Sequence, residues 1–161
     1  MPDDFPPKKT GSAYVKILQM MHLAICIAPA LFGIFVIFSR DSLGKSFNDM
    51  GSLFIYVVPF AALGGYFLSA FLFGKVMHKL HQKQDLQQKL GGYQSASILK
   101  YALLEAPALL SFFAYLGNNH PLYLVIGISL LVYLFFQRPT KAVIIKDLQL
   151  KQTDQQFFKN Q

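Results

Sequence analysis

The chain is 161 residues long, 53% hydrophobic and only 14% charged, with sixteen phenylalanines and a net charge of +7. Soluble globular domains carry about a quarter charged residues, whereas here the apolar residues fall in four blocks separated by short polar stretches that hold nearly all the charge. That pattern argues against a soluble domain and for an all-α polytopic membrane protein, a four-transmembrane-helix bundle. The basic balance does not indicate nucleic acid, because no interleaving of aromatic and basic residues offers a binding platform.

Residues 1–12 are polar and rich in proline and read as a flexible cytoplasmic tail. The four-helix membrane domain covers 13–138. A bilayer core of roughly 30 Å needs about 20 apolar residues in a helix. Spans are expected over about 14–39, 50–74, 95–117 and 121–137. The first two run without formal charge from Ile17 to Ser39 and from Met50 to Gly74. The first apolar run is longer than a signal-peptide core and is not closed by an A-x-A site, so it is expected to stay as a helix. Pro29, Pro59 and Pro107 lie inside the first three spans, where neighbouring helices can re-satisfy the carbonyls that proline frees. In the second span Ala61, Gly65 and Ser69 fall along one face, spaced for close backbone approach. That face is either packing within the bundle or a seam between subunits.

The connection over 75–94 is basic and amphipathic, with Val76, Leu80, Leu86 and Leu90 in pairs four apart. It is predicted as a cytoplasmic extension of the second span, stopped by Gly91–Gly92. Residues 139–161 form a cytoplasmic tail. Within it Thr140 can cap a short amphipathic helix whose apolar side carries Val143, Ile144 and Leu148. Both amphipathic segments are expected to lie on anionic lipid.

Lysines and arginines set the orientation. They flank the N-terminus (Lys8, Lys9, Lys16), the second connection (Lys75, Lys79, Lys83, Lys89) and the C-terminus (Arg138, Lys141, Lys146). The first connection carries Arg40 and Lys45, and the third carries none. The positive-inside bias then keeps both termini in the cytoplasm.

Glu105 is the only glutamate in the chain and the only acid within a span. An ionised carboxylate there is costly, so the neutral acid is favoured and the residue must face protein or water. Tyr101, one turn earlier, is a candidate hydrogen-bond donor to it, and His22 of the first span a candidate contact across helices. These three form the candidate proton or ion site; the alternative is a hydrogen-bonded structural carboxyl that fixes helix packing. His22 and Cys26, four apart, offer two soft metal ligands, an incomplete set without a second pair. His78 and His81 form an H-x-x-H expected on a solvated face, and His120 reads as a loop residue. No nucleophile-and-base constellation and no phosphate-binding glycine loop is present, so neither an enzyme nor a cofactor is indicated.

Ala28-Pro29-Ala30-Leu31 recurs as Ala106-Pro107-Ala108-Leu109, an echo that points to two tandem helical hairpins. The stretch Ala102-Leu103-Leu104-Glu105-Ala106, followed by Ala108-Leu109, a short outer loop, Arg138-Pro139-Thr140 and Asp147-Leu148, resembles small uncharacterised four-span bacterial inner-membrane proteins. The resemblance covers mainly the second half of the chain and implies location rather than activity. The surroundings of Glu105 are also similar to the proteolipid c-subunits of rotary ATP synthases, in which a mid-membrane carboxylate carries the coupling proton. This chain departs from them in lacking repeated glycines in its first span and in placing the acid on the first helix of its hairpin.

Two functions are therefore carried forward. The first is a non-enzymatic subunit of a larger inner-membrane assembly; the second is an oligomeric ion- or proton-translocating protein using Glu105. The partners expected are membrane lipids and either another membrane protein or further copies of the chain.

Overall fold

The structure is a computed structural model that describes residues 11–39 and 53–158. The tail over 1–10, most of the first connection and the last three residues lie outside the described residues. Every described element is helical: α1 Gly11–Phe38, α2 Phe54–His81, α3 Leu86–Asn118, α4 Pro121–Phe136, α5 Lys141–Asp147 and α6 Gln152–Gln155, followed by a 3-10 turn over Gln156–Phe158. Among them α1, α2 and α3 are long and apolar enough to cross a membrane. The fourth helix has 16 residues, about 24 Å at 1.5 Å per residue. It joins α5 through a bend of 86°. The Arg138–Pro139 pair explains that break, since proline disfavours helical geometry in the residue before it.

The hub of the bundle is α3, against which α1, α2 and α4 all pack. Each of the three brings a glycine to the contact. A Cβ on Gly33 of α1 would stand 2.9 Å from the Phe112 ring, and one on Gly127 of α4 would stand 2.8 Å from it. The fully buried Phe112 ring is therefore seated between two helix backbones. From α2, a Cβ on Gly65 would lie 2.5 Å from the Leu103 carbonyl oxygen and 2.9 Å from Pro107 Cγ. Leu103 is four residues before Pro107, so its carbonyl has lost its usual helical donor, and the glycine backbone closes over it. Without a hydrophobic drive between helices in lipid, such close approach is what holds them together.

By contrast, α1 and α2 are not major neighbours. The first predicted hairpin is thus not a packed pair, and two equivalent tandem hairpins do not describe this bundle. Within the Ala-Pro-Ala-Leu echo, Pro29 and Pro107 are both buried.

Two further expectations are corrected. The connection over 75–94 is not one helix stopped by glycines. Instead α2 ends at His81, and Asp85 starts α3 by accepting hydrogen bonds from the Gln87 and Gln88 backbone N–H groups at 3.2 and 3.4 Å. Gly91 and Gly92 lie inside α3; a Cβ on Gly92 would stand 2.4 Å from the Leu80 side chain. Close packing against α2, rather than helix termination, accounts for the second glycine. The C-terminal segment does not lie free on lipid. Thr140 caps α5 as its sequence indicates, accepting from Val143 N–H at 3.3 Å, but Ile144, Leu148, Leu150 and Phe158 are buried against Tyr14 and Leu18 of α1, Met77 and Leu80 of α2, and Leu90 and Tyr93 of α3. Val143 alone of the three predicted apolar positions stays exposed. A plug is thereby formed across one end of the bundle, and burying each such side chain contributes about 1.5–3 kcal/mol.

Candidate functional site

His22 and Cys26 of α1 and Tyr101 of α3 lie beside the end of α4, and the shortness of that helix explains how His22 and Tyr101 are used. α4 ends at Phe136, leaving its last carbonyls short of α-helical donors, and that of Leu134 takes the Gln137 N–H at 3.0 Å. His22 Nε2 lies 2.9 Å from the Leu134 carbonyl oxygen. A carbonyl only accepts, so Nε2 carries the proton. Tyr101 OH donates to the Gln137 carbonyl at 3.2 Å, and Gln19 Nε2 donates to the Pro139 carbonyl at 3.0 Å. Three side chains from α1 and α3 therefore finish the end of α4. His22 and Tyr101 also meet each other edge to face, with ring centroids 4.8 Å apart. Around them Cys26, Leu104 and Leu134 form a buried mid-layer.

Glu105 stands apart from this arrangement. It is half-buried on α3, close enough to Cys26 to interact electrostatically, and makes no hydrogen bond or ion pair with any described residue. The structure thus joins His22 to Tyr101 and ties neither to the carboxyl. Cys26 Sγ is 3.8 Å from His22 Nε2, but that nitrogen is committed to Leu134. Among the described residues no three His, Cys, Asp or Glu side chains converge. The small-residue face of α2 is divided: Gly65 abuts α3 and Ser69 is buried, Ala61 is half-buried, and neighbouring Gly64 has nothing within 4 Å of a Cβ.

Toward the basic end, Tyr93, Ser97, Lys100 and Tyr101 of α3 line a cavity of about 230 Å³ shared with α2, α4 and α5. Tyr93 OH donates to Asp147 Oδ2 at 3.3 Å. Lys100 sets its ammonium 4.6 Å from the centroid of the Phe73 ring. His81 of the H-x-x-H caps α5, its Nε2–H donating to the Asp147 carbonyl at 2.7 Å, while His78 is exposed.

Sequence reasoning missed several polar residues. His120 is buried rather than a surface loop residue, and its Nδ1 accepts from Leu122 N–H at 3.3 Å to start α4. Asn119, at φ 53°, closes α3 in the left-handed region, its N–H donating to the Tyr115 carbonyl at 2.7 Å. Tyr115 and Tyr123 are wholly buried near this turn, and neither hydroxyl has a hydrogen-bond partner among the described residues. The available signal was the choice of tyrosine at two positions in a chain otherwise so rich in phenylalanine.

No protein-family model, curated protein or solved structure matches this chain.

Proposed function

We propose that this chain is a four-span protein of the bacterial inner membrane, with both ends in the cytoplasm, serving as a non-enzymatic subunit of a larger membrane assembly. Glu105 carries the reading. A carboxylate at the centre of a span costs roughly 2.5–3.5 kcal/mol even on insertion scales, and this one has no donor among the described residues of its own chain. Because α1 and α2 stand apart, α3 keeps an exposed stripe that includes Leu99, Ala102, Ala106 and Phe113 beside Glu105. Alanines four apart let a partner helix approach closely and supply the missing donor.

A photo-reactive residue placed at Ala102 in native membranes tests this. The expected product is an adduct with a different membrane protein, weakened by Glu105→Leu. An adduct with a second copy of the chain, together with proton flux in proteoliposomes that Glu105→Gln abolishes, would favour the second reading: an oligomer that moves protons or ions through this carboxyl. Lipid adducts alone would defeat both.

The orientation is supported by the gathering of Lys16, Lys75, Lys79, Arg138 and Lys141 around the ends of α1, α2 and α4 that surround the C-terminal plug. In a Cys26→Ala background, cysteines at Asn48 and Asn118 should react with an impermeant thiol reagent applied to intact cells. Outside labelling of a cysteine at Gln84 or Gln155 would overturn the topology.

A further inference from the structure

Two cavities run end to end along the seam between α1 and α4. The first, about 450 Å³, is lined by Lys16, Gln19 and His22 of α1 and by Arg138 just beyond α4. The second, about 430 Å³, is bounded by Cys26, Ile27 and Ala30 of α1 and by Leu131 and Val132 of α4. Leu23 and Phe135 line both, so the two meet there. The groove is therefore amphipathic along its length: basic and hydrogen-bonding at one end, apolar at the other.

We propose that this groove is a specific site for one anionic phospholipid, its phosphate held between Lys16 and Arg138 and an acyl chain laid along the apolar half. Three observations support that occupant. The polar end carries two cations, and no carboxylate of the described residues lines either cavity. Arg138 is oriented there by donating to Gln19 Oε1 at 3.3 Å, and its guanidinium matches phosphate geometry. The dimensions agree as well. Lys16, Met20, Leu23, Ile27 and Ala30 alternate in steps of four and three along one face of α1. Leu23 to Ala30 spans about 10 Å of helix axis, within the roughly 15 Å of one leaflet's hydrocarbon, and Lys16 lies about 10 Å further out, where headgroups lie. A transmembrane helix docking on the same seam would have to bring a carboxylate to the mouth, which makes it the competing occupant.

The site lies in the inner leaflet only on the topology proposed above. Its chemistry is independent of that, so a failed labelling experiment would move the lipid to the other leaflet without changing the result of a titration. The full chain, purified in mild detergent, would be titrated with phosphatidylglycerol, with phosphatidylcholine and with soluble glycerol phosphate, and followed by native mass spectrometry. The expected result is a single saturable phosphatidylglycerol adduct, with phosphatidylcholine weaker by about tenfold or more. Lys16→Gln with Arg138→Gln should weaken phosphatidylglycerol by a similar factor. Arg138→Lys, which keeps the charge but not the fork, should retain only part of the binding, and Lys75→Gln with Lys79→Gln, outside the groove, should leave it unchanged. Ala30→Phe, which fills the apolar half, should weaken it independently of charge. Equal binding of the two lipids, an unaffected double variant, or glycerol phosphate binding as tightly as the lipid would overturn the proposal. So would a photo-reactive residue at Ile27 that captures protein rather than lipid.

Discussion

Replacing Gly65 by leucine should unfold or severely loosen the bundle, whereas the same change at Gly64 should be tolerated. At Gly65 the first atom of any side chain meets a backbone oxygen, that of Leu103, at 2.5 Å, and the Pro107 ring at 2.9 Å. Neither can swing aside as a flexible side chain would. The helices must separate there, even though Met77 and Leu80 hold the far end of α2 in the plug, because most of its other apolar side chains, Phe60, Phe67 and Phe71 among them, face outward. Overpacking of this kind costs about 1–3 kcal/mol and sometimes more. Even Gly65→Ala should therefore destabilise, despite an intrinsic gain in helix propensity of about 1 kcal/mol. At Gly64 nothing lies within 4 Å, so Gly64→Ala should be neutral or slightly stabilising. The check is the thermal midpoint in detergent, read by loss of the monodisperse peak. If Gly65→Leu melted with the parent while the exposed Val57→Leu did not, the contact face would be wrongly assigned.

A second large effect is expected from His22→Leu. The substitution keeps a buried apolar volume but withdraws one of two donors from the Leu134 carbonyl, which retains only the Gln137 N–H at 3.0 Å. Losing one buried hydrogen bond costs about 0.5–1.5 kcal/mol, and polar contacts measured in membrane proteins average about 0.6 kcal/mol. Tyr101→Phe should cost less, because its bond to Gln137 is longer and the ring contact with His22 survives. The two rings touch at 4.8 Å, so the double variant should not equal the sum of the singles. His22→Gln, which retains a donor, should recover part of the loss. The comparison separates a capping histidine from a proton carrier: capping predicts a stability defect that follows donor capacity, whereas proton transfer predicts retained stability and lost flux. Unchanged stability in His22→Leu would remove the capping role.

The helical character, and the helix lengths and apolarity needed to cross a membrane, were legible without coordinates, because they depend on local quantities. The lengths of uncharged runs, the flanking lysines and the interior prolines are all read within one segment. Thr140 as a cap is similarly local, since a side-chain oxygen serves an N–H three residues away. The value of Gly65 was also visible, because small residues at helical spacing have few uses in a span other than close approach. Its partner was not visible, nor were Gly33 and Gly127, isolated glycines that acquire meaning only when Phe112 of another helix fits between them. The same holds for the end of α2. Asp85 and Gly91–Gly92 are both plausible helix breaks in sequence; Asp85 acts as the cap while Gly92 faces Leu80, and only packing distinguishes the two.

The candidate site divides along the same line. Glu105 was singled out by desolvation alone, which needs only its depth in an apolar run. The roles of His22 and Tyr101 could not be read that way. Their acceptors lie 112 and 36 residues away in the chain, on carbonyls that are open to a side chain because α4 stops at Phe136. Hydropathy decides which segments leave water, since transfer free energy is a property of each segment. Which helix becomes the hub, which glycine meets which ring, and which side chains complete an unfinished helix end are decided only in the tertiary structure, because each is an interaction between groups that the sequence keeps far apart.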